Sequence, residues 1–221
     1  MKKIALVFLI LPILMFSQTK QLSTYKYYLI FDKEKDTEEM DMKTINYLGM
    51  NRMDTITYQL EFTPEKANFQ PILKLNNDQF DGLNFAEIMV EAMGSYFYDF
   101  KEAKVYHLQS LNDKTYSIKS DFDKINWEFL DEEEMINGYL CKKAIYVESE
   151  TLRDGRKRQV KTTVWFSEEL NHQSIPFGLT GLPGGIVKVN FNDFAEIVFS
   201  ELNPSRKRFR PLKLGKIVSQ E

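Results

Sequence analysis

The run Gly181-Leu182-Pro183-Gly184-Gly185-Ile186-Val187 sets a Pro-Gly pair directly before β-branched residues. Proline fixes one φ and glycine frees the next, so Pro183-Gly184 suits the centre of a type II turn. Gly185 permits a close backbone approach or a bulge as the following strand begins. Ile186 to Phe191 reads as that strand, and Val160 to Phe166, with Trp165, reads as the strand before it. Further out, Ile186–Phe191 and Ala195–Leu202 flank Asn192-Asp193, while Tyr139–Glu148 and Arg158–Phe166 flank Asp154-Gly155, a strong hairpin signal. Val105–Ser110 and Thr115–Ser120 flank the turn cluster Leu111-Asn112-Asp113-Lys114.

Nearer the N-terminus, Tyr25, Tyr27, Leu29 and Phe31 alternate with more polar neighbours, as do Ile56, Tyr58, Leu60 and Phe62 before Pro64. These two strands are expected to pair across the polar, loop-like segment from Asp32 to Asn51. Ile125, Trp127 and Phe129 alternate ahead of Asp131-Glu132-Glu133-Glu134, which reads as a solvated connection and lacks the spaced ligands of a calcium loop. One helix is expected: Phe85, Ala86, Met89, Ala92 and Met93 share a face, Asn84 and Glu87 suit a capping box, and Gly94 is a stop. Its Met-rich face reads as core first and as an adaptable ligand surface second. Strands joined by short turns pair with their sequence neighbours in antiparallel fashion. The expected fold is mainly β: one large curved antiparallel meander, a half-barrel or open barrel, with one short helix packed on it.

Composition bounds the function. Of 221 residues, 43% are hydrophobic and 14% aromatic, enough for a packed core. Lys and Arg total 29 against 32 Asp and Glu, a net charge of −3, so no basic field for nucleic acid exists. Met1-Lys2-Lys3, the apolar run Ile4–Phe16 and Ser17-Gln18 have the form of a signal peptide over 1–17. The run is short for a bilayer span, and no cysteine stands nearby to carry a lipid. Residues 18–221 are then expected as one soluble β-rich domain, exported to the periplasm or outer membrane without a lipid anchor. Its tail, 204–221, carries Arg206, Lys207, Arg208, Arg210, Lys213 and Lys216. This tail reads as a solvated terminus or as a contact for an anionic surface. Phe209, Leu212, Leu214 and Ile217 also favour its packing in part, as a last edge strand.

Chemistry-bearing residues are sparse. Cys141 is the only cysteine, sits in a strand-like run and reads as a small buried hydrophobe. His107 reads as structural. His172 lies near Glu168, Glu169 and Ser174, but no nucleophile elbow supports a triad there. No catalytic set, metal site or cofactor is assigned. The loop 176–185 has two readings. It is either a wide connection between strands, or a lid or mouth with Phe177 and Leu182 as exposed apolar anchors. On the second reading the binding rim comprises Trp165, Pro176, Phe177, Gly181, Leu182, Pro183 and Gly184.

The motifs reached so far carry a resemblance. Ile125-Asn126-Trp127 comes first, then Ile136-Asn137-Gly138-Tyr139-Leu140-Cys141-Lys142-Lys143-Ala144, Trp165-Phe166-Ser167 and Gly181-Leu182-Pro183-Gly184. In this order they resemble the GLPGLI family of exported proteins from Bacteroidetes-type bacteria, over residues 125–191. Gly185 stands where the namesake motif has Leu, and Ser174 to Gly178 lack its usual Gly-Pro pair. The resemblance implies export and a regular strand position for Cys141, and no activity. The expected function is a non-catalytic cell-envelope binding module holding an apolar ligand, a lipid or a peptide on a curved sheet. The alternatives are an assembly protein docking to an outer-membrane partner by an edge strand or the basic tail, and a hydrolase using His172.

Overall fold

A computed structural model describes residues 21–29, 57–72, 93–112, 114–122, 125–151, 155–170, 176–191, 195–204 and 208–219. Among the described residues twelve strands form one sheet: β1 Gln21–Leu29, β2 Thr57–Phe62, β3 Lys66–Ile72, β4 Ser95–Asp99, β5 Lys104–Leu111 and β6 Lys114–Asp121, then β7 Glu128–Ile136, β8 Tyr139–Thr151, β9 Lys157–Ser167, β10 Gly185–Phe191, β11 Ala195–Pro204 and β12 Lys216–Ser219. Their order across the sheet is β12-β6-β5-β4-β3-β2-β1-β11-β10-β9-β8-β7. The sheet is two antiparallel meanders, β1–β6 and β7–β11, fused where β1 pairs with β11. Of the expected helix, only Met93 and Gly94 fall among the described residues, and the signal-like 1–17 lies outside them. No helix among the described residues is long and apolar enough to cross a membrane.

The hairpins form where turn residues ask for them. Asn112 adopts φ 49° between β5 and β6, and Gly155 adopts φ 83° between β8 and β9. β1 and β2 pair as expected, Tyr25 opposite Tyr58. Three features differ from the expectation. β3 is a strand not anticipated from the sequence, and it contains Pro71. The proline is tolerated because β3 pairs with β4 only from Lys66 to Phe69, which leaves Pro71 with a single neighbouring strand, β2. The acidic run 131–134 is strand, not connection: it lies in β7, an outer strand of the sheet, where its carboxylates stay exposed. A register shift between Leu130 and Glu133 bends that edge. Finally, β12 runs parallel to β6, so the chain end does not continue the meander.

Alternation sends Tyr58, Leu60 and Phe62 of β2, Ala67 and Phe69 of β3, and Tyr96 and Tyr98 of β4 to one face. Ala144, Val164, Val189 and Ile197 line the same face of the second meander. Together they make one buried core. The sheet bends around that face. Phe69 of β3 and Phe191 of β10 are four strand steps apart, about 19 Å in a flat sheet. Yet one ring, Phe177, lies 5.2 Å from Phe69 and 5.6 Å from Phe191, centroid to centroid.

Candidate functional site

The segment 176–184 is a strap across the inner face. It opens with the 3-10 turn Pro176–Gly178, in which Phe177 has φ 57° and ψ 34°. L-residues avoid that left-handed conformation at a cost of about 1–2 kcal/mol. Here it points the ring into the bowl. Phe177 meets Tyr58, Phe69, Tyr96 and Phe191 at centroid distances of 5.0, 5.2, 6.0 and 5.6 Å, all edge-on. Such geometry sets the positive edge of one ring against the negative face of another.

Hydrogen bonds pin the strap on both sides of this wedge. The amide of Gly178 donates to the Tyr98 hydroxyl at 3.0 Å, and the amide of Leu179 to the Pro176 carbonyl at 3.2 Å. The Thr180 hydroxyl donates to the Phe122 carbonyl, while the Trp127 indole donates to the Thr180 carbonyl at 2.7 Å. The strap therefore ties the end of β6 to the start of the second meander. At Gly181, φ is +85°, a conformation that glycine alone adopts without strain.

The rim residues expected from sequence are only partly together. Pro176, Phe177, Gly181, Leu182, Pro183 and Gly184 all lie on the strap, but Pro176 and Leu182 are buried, Phe177 is half-buried and Pro183 is exposed. Phe177 and Leu182 are not exposed anchors; they face the core because the bowl offers more apolar contact than water does. Pro183-Gly184 is not a type II turn, since Gly184 lacks a positive φ. Its glycine answers a steric demand: a Cβ there would stand 2.4 Å from the Ser167 carbonyl oxygen. Trp165 is on the opposite face from Val164, next to Lys143 and Lys188, whose ammonium groups lie 5.3 and 4.9 Å from its ring centroid. Those lysines pair with Glu132 and Glu196 at 2.8 and 2.9 Å, so a charged row crosses β7 to β11 around the indole.

The rings that receive Phe177 escaped the sequence reading as site residues, as did Thr180. Tyr58 stands in the visible alternation of β2 and Tyr96 in the aromatic run Tyr96-Phe97-Tyr98 of β4, but neither pattern says what it would face. Among the titratable groups, His107 stacks on Tyr96 at 4.4 Å and 2°, with Nε2 3.0 Å from the Met93 carbonyl. Burial lowers its pKa from the usual histidine value, against the hydrogen bond, which raises it. Burial also pushes the Cys141 thiol up to about 11. The side chain is fully buried and its sulfur lies 3.4 Å from the Tyr139 carbonyl, so it is a protonated packing residue. His172 and Ser174 lie outside the described residues.

No family model and no curated protein matches the chain. Solved structures of PNGF-II do. In the P21 crystal form the TM-score is 0.51 at 12% identity, over 91% of this chain and 31% of that one. In the C2 form it is 0.53 at 12% identity, over 92% and 31%. The chain thus spans about a third of the length of PNGF-II, and at this identity the likeness is one of fold.

Proposed function

We propose that the chain is a non-catalytic binding module of the bacterial cell envelope, holding an apolar ligand in the bowl beneath the strap. The GLPGLI resemblance and the signal-like N-terminus support the envelope. The observation that carries the binding reading is Phe177: a bulky side chain held at positive φ in a half-buried wedge among four rings. Strained residues of this kind cluster at ligand clamps and switches. A ligand of similar flatness and polarity displaces the ring and takes over its contacts. Phe177→Ala leaves an apolar void of the kind that binds small hydrophobic molecules. It is expected to bind diphenylhexatriene at least tenfold more tightly than wild type, with an unchanged circular dichroism spectrum. Protein purified from its own host is expected to carry lipid-sized added mass in native mass spectrometry. No added mass, together with no gain of probe binding in the variant, sinks the reading.

A second reading, docking through the β7 edge, is favoured by Phe129 and Met135. They are 55% and 62% exposed near the two ends of that outer strand. Large exposed apolar side chains on an outer strand suit strand addition by a partner. Replacing both with serine is expected to lower partner recovery in a pull-down; unchanged recovery removes β7 as the dock.

A further inference from the structure

A cleft at the corner of β5, β6 and the chain end carries an inference independent of the strap. The C-terminal segment crosses the outer face of the first meander, held by two buried polar side chains. Asn68 donates through Nδ2 to the Arg210 carbonyl at 2.7 Å and accepts from the Leu212 amide at 3.1 Å. The Gly215 amide donates to the Ser117 hydroxyl at 3.0 Å. The segment is therefore a fixed wall, not a solvated tail. Between it and the strand ends lies a cleft of about 300 Å³, with Ser95, Ser110, Thr115, Leu108, Leu212 and Lys213 among its lining residues. That volume is at the small end of ligand pockets. Three hydroxyl-bearing residues and one lysine are among the lining, and no acidic residue is.

Ile217, 54% exposed, lies beside Ser117, on the face of β6 that also carries Thr115. A cation near an exposed apolar side chain is what an interfacial site presents to a charged lipid surface.

We infer that this cleft binds a phosphate ester, with Lys213 supplying the charge and Ser95, Ser110 and Thr115 the neutral hydrogen bonds. A tetrahedral anion uses several hydroxyl donors around one cation, and the missing carboxylate leaves no group to repel it. The ester is either a lipid headgroup or a free phosphate ester, and the exposed Ile217 on the same face favours the lipid. The test has two arms. Co-sedimentation is measured with phosphatidylcholine vesicles with and without phosphatidylglycerol, and glycerol 3-phosphate is titrated by amide NMR. Wild type is expected to pellet only with phosphatidylglycerol, and Lys213→Glu to weaken this by about tenfold. The double change Ser110→Ala and Thr115→Val is expected to weaken it as well. Lys101→Glu, the same charge change elsewhere on the surface, is expected to leave it intact. Glycerol 3-phosphate is expected to shift the amides of Ser110 and Thr115. Shifts without vesicle binding assign the site to a soluble ester. Equal losses in Lys101→Glu and Lys213→Glu with none in the hydroxyl variant reveal diffuse attraction and overturn the site, as does binding in neither arm.

Discussion

Phe177 sets two opposed quantities against each other. Its left-handed backbone costs about 1–2 kcal/mol, and each of its four edge-on ring contacts is worth about 0.5–1.5 kcal/mol beyond burial. The contacts win. Phe177→Gly therefore destabilises the fold by about 1–3 kcal/mol although it relieves the backbone, and chemical denaturation measures this as a lower midpoint at unchanged m-value. A rise in stability would show that the wedge is a net burden. His107 gives a pH signature at the same scale. Its folded-state pKa is lowered, so the unfolded chain binds more protons as the pH falls through the ordinary histidine range. The linked stability is complete above the unfolded value, about 6.5, and is lost progressively below it. His107→Phe keeps a ring on Tyr96 and removes the titration. Wild type is expected to lose more melting temperature than the variant between about pH 7.5 and 5.5; equal losses would place the acid sensitivity elsewhere.

At the scale of elements, the C-terminal segment is held by few groups. Asn68 is buried and satisfies one carbonyl and one amide of that segment. Asn68→Ala strands both, at about 1–3 kcal/mol for buried unsatisfied groups. The expected outcome is faster hydrogen exchange over residues 208–219 with little change in β8 and β9; protection unchanged in the segment would mean that β12 pairing alone holds it. The same segment marks where the sequence stops being readable. The hairpins β5–β6, β8–β9 and β10–β11 were legible because their turn chemistry is local: Asn112 and Gly155 take the positive φ that their neighbours require. β3 is hidden by Pro71, which argues against a strand interior; Pro71 and the buried Asn68 are explained only by non-local features, the β3–β4 pairing that ends at Phe69 and the tail. The acidic residues of β7 looked like a connection because an outer strand tolerates charge that a central strand does not. As for the site, the strap's turn residues stood out, but the place of its wedge did not. The hydroxyl that anchors Gly178 comes from Tyr98, 80 residues away.

The whole molecule raises the question of whether two meanders unfold as one. Among the described residues, the sheet joins them at β1 with β11. The strap adds a second join, through Phe177 between Phe69 and Phe191 and through Thr180 between Phe122 and Trp127. Without that clasp the two halves of the buried core are expected to open separately, because local unfolding follows contiguous contact units. With the clasp intact, amides in β4 and β9 are expected to exchange with the same opening free energy. Phe177→Ala combined with Trp127→Phe removes the wedge and the indole hydrogen bond while leaving every strand pairing in place. The two sets of amides are then expected to diverge, with the slower set retaining the β1–β11 contact. Coincident exchange in the double variant would show that the β1–β11 ladder alone makes the sheet cooperative. The strap would then be free to act as a lid without threatening the fold.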